Sequence, residues 1–248
     1  MVDPLLVRQD GAILRVTLNR PDAGNGATDD MARELTRHLN AVTASTRVVI
    51  LAGNGPDFCI GRAQMGTPPA GGMPEALQRR RASDVIFDAY GAIRNCPAPV
   101  ICAVQGQVLG FGCAIAAVAD MTIAADTAIF QIPEMQHRIM PTMVMSALVD
   151  RATLKGLTYL VYSCAKVSAE RALSFGLVSD VVPAAELGAR VDALAATILQ
   201  APPPASAGVK EYLSRAMQMD TPNAVDFARN IHAVINSSSE MKGKGGGH

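Results

Sequence analysis

The chain of 248 residues has no tryptophan, only four tyrosines and six phenylalanines, and no net charge, since 22 Lys and Arg balance 22 Asp and Glu. Without aromatic platforms or a basic stripe, the sequence gives no case for nucleic acid as a partner. Histidine is scarce as well, with four residues too dispersed to form a metal site. The five cysteines (Cys59, Cys96, Cys102, Cys113 and Cys164) form no CxxC pair and are odd in number. They read as reduced, mostly buried thiols, which points to a reducing, cytoplasmic compartment. The opening MVDPLLVRQDG carries acids at Asp3 and Asp10 and lacks the apolar core of a secretory signal. A long uncharged stretch runs from Cys96 to Ala119, but Pro97, Pro99, Gln105, Gln107 and three glycines interrupt it. No apolar 20-mer survives, so no membrane span is expected.

Apolar residues make up 49% of the chain and charged residues 18%. That composition supports one large core, with at most a small appendage. AILRVTLNR (12–20) alternates as a half-buried strand should. Thr28 stands at an N-cap position with Asp29 and Asp30 in the first turn, and Met31, Leu35, Leu39 and Val42 follow at helical spacing. RVVILAG (47–53) and APVICAVQG (98–106) are short apolar runs of buried-strand type, MTIAA (121–125) and AIFQIPE (128–134) are further strands, and so is LVSDVVP. Helical patterning covers 142 to about 162 and then 168–175, where Ser168 caps and Gly176 stops. Buried strands alternating with helices argue for an α/β fold with covered sheets. APPPA (201–205) divides this body from a C-terminal helical segment with an apolar stripe of Tyr212, Ala216, Ala224, Phe227, Ile231 and Ile235. KGKGGGH at the end reads as disordered. Asp120, Asp126, Tyr159 and Tyr162 read as structural.

Two segments share one plan: a buried strand, a glycine-bearing turn, then a helix-like run. They are VVILAGNGPDFCIGRAQM (48–65) and VICAVQGQVLGFGCAIAAVAD (100–120). Glycines after a strand allow positive φ and close backbone approach. A helix starting there leaves its first N–H groups unpaired at its positive end. Two such turns side by side can aim two N–H groups at one oxygen, which is an oxyanion hole made without side chains. On spacing alone the favoured reading is that the glycines serve only tight strand–helix packing. A dinucleotide site is not indicated, because GQVLGFG is not GxGxxG after a first strand and no GxxxxGK[ST] occurs.

LNRPDAGNGATDDM, VVILAGNGPDFCIGRAQM, the block from PAPVICAVQG to QIPEMQHRIMP, and SAERALSFGLVSDVVP resemble the ordered signature blocks of the crotonase superfamily, the enoyl-CoA hydratase/isomerase proteins. The resemblance spans about 12–183. It implies residues 1–197 as a crotonase-like spiral core of repeated ββα units in two nearly perpendicular sheets. It implies 198–248 as a C-terminal helical segment that builds a homotrimer or a dimer of trimers. The implied substrate is an acyl-CoA thioester, with no cofactor beyond the coenzyme A it carries. Its carbonyl oxygen would rest between the backbone N–H groups of Arg62 and Phe111. Ala63, Gln64, Met65, Gly110, Gly112, His137 and Met140 are the implied substrate contacts.

The pattern of the family is kept in part. Hydratases of the family use two glutamates; this chain has Glu134, in QIPEMQ, at one position and Ala114, in GFGCAIA, at the other. A lost acid/base partner costs on the order of 10²–10⁴ in rate. Moving a double bond needs one base, so isomerisation through a dienolate on Glu134 is favoured over hydration; the alternatives are a hydratase of narrow substrate range and a family member that binds CoA esters without catalysis. Phe111 stands where a glycine is usual, and positive φ there would strain it. Arg62 occupies a position where a small residue is common, and its side chain is either solvated or turned to CoA phosphates, as are Arg79, Arg80 and Arg81. His137 is either a second acid/base or faces away. Met140, Met143 and Met145 either line an acyl pocket or fill core.

Overall fold

The computed structural model describes residues 3–63 and 75–241. Among them lie two sheets. The larger runs β1 (Leu5–Asp10), β2 (Ile13–Leu18), β3 (Val48–Gly53), β4 (Val100–Val104), β6 (Met121–Ala125) and β9 (Asp180–Val182) in that spatial order. The smaller holds β5 (Gln107–Leu109), β7 (Ile129–Gln131) and β8 (Val167–Ser168). From β2 to β9 the large sheet is parallel, and β1 joins β2 antiparallel. The sequence reading missed β1, although Asp10-Gly11 is a hairpin signal and Gly11 adopts φ +57°.

Parallel strands must be covered on both faces, and here the side-chain alternation shows how. Val48, Ile50, Ile101, Ala103, Ile123 and Ala125 point to one face, where α7 (Leu187–Gln200) lays Leu187, Val191 and Ala195 on them. Val49, Leu51, Val100, Cys102 and Val104 point to the other face. There they meet the main core with α1 (Asp29–Asn40), α2 (Ala76–Asn95) and α3 (Phe111–Val118). The N-cap reading for α1 holds: Met31 N–H donates to Thr28 Oγ1 at 3.2 Å, with Met31, Leu35 and Leu39 buried.

One step repeats along the chain. A strand of the large sheet ends in a turn, makes a short pairing in the small-sheet region, and leads toward a helix. β4 passes through Gly106 (φ +56°) into β5 and then α3. β6 leads to β7. After β3 the chain pairs through a single bridge, Cys59 to Val108, and after β2 through Ala27 to Arg62. These are the repeated ββα units expected of the crotonase fold.

Two helical assignments change. The run from 142 divides into α4 (Thr142–Leu148) and α5 (Leu154–Ser163), because Thr153 caps a new helix by accepting from Gly156 N–H. The C-terminal segment is likewise two helices, α8 (Pro203–Ala216) and α9 (Thr221–Ser237), with Asp220 as the second cap. The expected apolar stripe joins them: Tyr212 stacks on Phe227 with ring centroids 5.7 Å apart. A division after residue 197 falls inside α7, which belongs to the body; the break comes at Ala201–Pro202. α6 (Ala169–Ser174) starts at its predicted Ser168 cap and ends before Gly176 at φ +85°. The tail 242–248 lies outside the described residues.

Asp120 and Asp126 are structural as read. Asp126 Oδ1 accepts from Ala184 N–H. Asp120 Oδ2 accepts from Val100 N–H and from Lys210 Nζ, each at 2.7 Å. Lys210, 9% exposed, also donates to the carbonyls of Ala98 and Ile93 and so ties α8 to the body. Tyr162 is 76% exposed and does not pack, unlike Tyr159, which lies under the Arg171 guanidinium at 4.4 Å. All five cysteines are free and buried, as expected. No helix among the described residues is long and apolar enough to cross a membrane. Breaking a buried ion pair by removing one partner costs about 3 kcal/mol or more, so Lys210→Met is expected to lose about that much in urea unfolding. An unchanged midpoint would show that α8 is held by other contacts.

Candidate active site

The site is built where the two glycine-rich turns run side by side. Cys59 bridges Val108 in parallel: Cys59 N–H donates to the Gln107 carbonyl at 3.1 Å, and Leu109 N–H to the Cys59 carbonyl at 2.9 Å. Three residues further along each strand come Arg62 and Phe111. Each follows a glycine of positive φ, Gly61 at +105° and Gly110 at +49°. Gly110, not Phe111, carries the unusual backbone, so the expected strain at Phe111 is absent; Phe111 opens α3 in helical conformation. Gly112 makes the close approach possible, because a Cβ there would come within 2.4 Å of the Cys59 carbonyl oxygen.

The amides around the two positions are committed. Ala27 N–H donates to the Gly61 carbonyl, Ala63 N–H to the Ala27 carbonyl, Gly110 N–H to the Gln131 carbonyl and Ala114 N–H to the Gly110 carbonyl. Among the described residues, the N–H groups of Arg62 and Phe111 have no acceptor, and Phe111 stands at the positive end of α3. Two uncommitted main-chain donors on adjoining turns have the composition of an anion or carbonyl cradle.

Glu134 follows from the same topology. β7 pairs with β5, and three residues past Gln131 the chain enters a 3-10 turn, Glu134–His137. Glu134 is 7% exposed, and its Oε2 is buried with no hydrogen-bond partner among the described residues. Loss of hydration raises its pKa above the ordinary 4.5, against smaller opposing effects of its own backbone and of His137. Its negative charge is felt by Tyr90 and Cys113, whose own pKa values rise chiefly through burial, that of Cys113 to about 12. A buried, unpaired carboxyl of raised pKa in a site of this kind is suited to proton transfer. Ala114 lies on α3, fully buried.

The structure separates the remaining candidates. His137 ends the 3-10 turn exposed, whereas Glu134 begins it buried. Arg138, next in line, adopts φ +58°, the left-handed conformation that a glycine would take without strain. Ala63 is exposed beside Arg62. The Arg62 side chain, half-buried, donates to Asp29 Oδ1 at 2.6 Å. Arg81 lines a groove between α1 and α2 with Arg33, Arg37, Asp84 and Asp88. The methionines divide. Met143 and Met145 pack on the core, and Met145 also lines an apolar groove of about 320 Å³ with Met140, 72% exposed, Met135, Leu157 and Tyr162. Gln64 and Met65 lie outside the described residues. Tyr90 was not singled out in the sequence; its ring is 4% exposed and stacks on Phe111, with centroids 5.7 Å apart and planes at 26°. Its place in the C-terminal half of α2, the helix that packs on α3, was the available signal.

Two expected outcomes follow from this geometry. Because the folded pKa of Glu134 is raised, ionisation costs stability as pH rises above 4.5, where the unfolded chain gives up its proton first. Glu134→Gln is expected to melt above the parent chain at pH 7, with the gap closing as pH falls toward 4.5; a gap independent of pH would contradict the raised value. Gly112→Ala is expected to destabilise by about 1–3 kcal/mol through forced separation of the turns, read by chemical denaturation.

Comparison with known proteins agrees with this architecture. The enoyl-CoA hydratase/isomerase family model matches residues 8–247. A short-chain-enoyl-CoA hydratase of Clostridium acetobutylicum is 28% identical over 244 residues, 96% of this chain and 91% of that one. An enoyl-CoA hydratase structure from Mycobacterium smegmatis aligns with a TM-score of 0.90 at 26% identity, covering 96% of this chain and 93% of the other. A Thermobifida fusca structure solved in complex with acetoacetyl-CoA aligns at 0.82 with 28% identity, over 93% of this chain and 94% of that one. With the fold, the paired turns and a match over nearly the whole chain, this protein belongs to the enoyl-CoA hydratase/isomerase family of the crotonase superfamily.

Proposed function

We propose that the protein acts on acyl-CoA thioesters, holding the thioester oxygen between the N–H groups of Arg62 and Phe111 and using Glu134 as the single acid/base. The carrying observation is the buried Glu134 carboxyl, with Oε2 unpartnered, beside turns whose two N–H groups have no acceptor among the described residues. When a proton leaves the α-carbon of a 3-enoyl thioester, the C–H electron pair moves into a dienolate and negative charge gathers on the thioester oxygen. Two fixed donors meet that charge as it forms, each contributing on the order of 3 kcal/mol. The protonated Glu134 then returns its proton to the γ-carbon, and the double bond has moved. This cycle needs one carboxyl and no cofactor beyond the coenzyme A of the substrate. Ala114, a methyl where hydratases of the family hold a second carboxyl, favours isomerisation.

A second reading is hydration by a narrower enzyme. Related chains favour it: the Clostridium protein carries a hydratase name, and a 2,3-dehydroadipyl-CoA hydratase of Escherichia coli is 31% identical over 182 residues. On that reading Glu134 both activates the water and delivers the proton. For either reaction the family's assembly supplies a place for α8 and α9. Their exposed Leu213, Met217 and Val234 fit packing between copies in a trimer or dimer of trimers.

Measuring hydration of a short 2-enoyl-CoA beside isomerisation of a 3-enoyl-CoA separates the two readings; isomerisation is expected to be the faster. Glu134→Gln is expected to lower either rate by ~10² or more. Activity of the parent chain should rise with pH through the raised Glu134 pKa, since the base works ionised. Turnover that survives Glu134→Gln would overturn the assignment.

A further inference from the structure

Both donor positions carry large side chains, although the proposed role uses only their N–H groups. Each of those side chains ends on a specific partner. The Arg62 guanidinium donates to Asp29 Oδ1 at 2.6 Å. The same stretch of chain holds the Arg62 turn by its backbone, through Ala27 N–H to the Gly61 carbonyl at 2.8 Å and Ala63 N–H to the Ala27 carbonyl at 2.9 Å. Arg62 is thus gripped on side chain and both flanks while its own N–H is left over. The Phe111 ring, 3% exposed, lies against Tyr90 at 5.7 Å. Its turn is fixed by Gly110 N–H to the Gln131 carbonyl at 3.0 Å. Asp29 opens α1 and Tyr90 sits in α2, and those two helices pack on each other within the main core. The anchors therefore stand on one rigid base. The charge of Arg62 also acts on the Tyr90 phenol, which places the two anchors in one neighbourhood.

Resting on the oxyanion reading above, we propose that Asp29 and Tyr90 are positioning residues that aim the Arg62 and Phe111 N–H groups through their side chains. The bulk at 62 and 111 then has a use. A glycine or alanine there leaves the direction of the N–H to the backbone alone. Arginine on a carboxylate and phenylalanine on a phenol ring tie it to α1 and α2. Asp29 thus has a task beyond the helix dipole, and its pairing with Arg62 accounts for a cation that would otherwise lie free beside the site.

The test is the infrared carbonyl stretch of butyryl-CoA labelled with ¹³C at the thioester carbon, bound to the full chain; being saturated, it is not turned over. Binding to the parent chain is expected to lower the frequency, since two donors polarise the bond. Asp29→Ala and Tyr90→Leu should each return it toward the free value and lower kcat by ~10-fold or more, with KM changed less than about twofold, because misaimed groups cost rate rather than affinity. Tyr90→Phe keeps the ring and should retain the shift. The Asp29–Arg62 pair is partly exposed, so Asp29→Ala reports even where Tyr90→Leu fails to fold. A parent shift that persists in Asp29→Ala overturns the anchor proposal and leaves the donors standing. No shift in the parent chain overturns the donor assignment and the anchors with it.

Discussion

Between Gly112 and the carbonyl of Cys59 there is no room for even one carbon, and that contact governs the whole site. A Cβ at 112 would also come within 2.8 Å of the Cys59 side chain. The close approach lets Cys59 pair with Val108, and the pairing puts Arg62 and Phe111 in register three residues on. The second constraint is of the same kind: Gly106 turns the chain from the large sheet into the small one, where a Cβ would meet the Pro56 carbonyl at 2.1 Å. Backbone packed against backbone at these glycines brings two main-chain donors onto adjoining turns. The side chains at 62 and 111 are left to be pinned elsewhere.

The rest of the fold serves as support for that contact. Strands β3 and β4 are buried on both faces, so neither can shift against the other without exposing apolar area to water. α7 closes one face, and α1, α2 and α3 close the other. The burial of Glu134 belongs to the same arrangement. It stands at the start of the turn that follows β7, which pairs with β5, and its carboxyl loses water it would keep on an open loop. A carboxyl held dry is a liability for folding and an asset for moving protons, which is a common bargain in active sites.

Much of the architecture could be read from residues because the signals are local. Thr28 and Ser168 are caps by type and position, Gly176 is a stop, and β2 alternates in a way only a half-buried strand does. The boundaries at Thr153 and Asp220 were equally local and were passed over, since apolar periodicity on either side masked the caps. β1 was missed for another reason: it lies at the edge, mostly exposed, and takes its order from pairing with β2.

What the sequence determined by itself is the family, the succession of strands and helices, and the glycines at which backbones could meet. Glu134 and Ala114, at the positions where the family resemblance puts its two carboxyls, could be named there too. Only the tertiary structure decided that Glu134 is dry with an unpartnered oxygen and that His137, three residues away, faces out. It also decided that Gly110 rather than Phe111 takes the positive φ, and that the side chains of Arg62 and Phe111 end on Asp29 and Tyr90. These are facts about hydration and about partners distant along the chain. Residue type and spacing carry propensity over a few positions, whereas burial and long-range pairing exist only once segments tens of residues apart have been packed together.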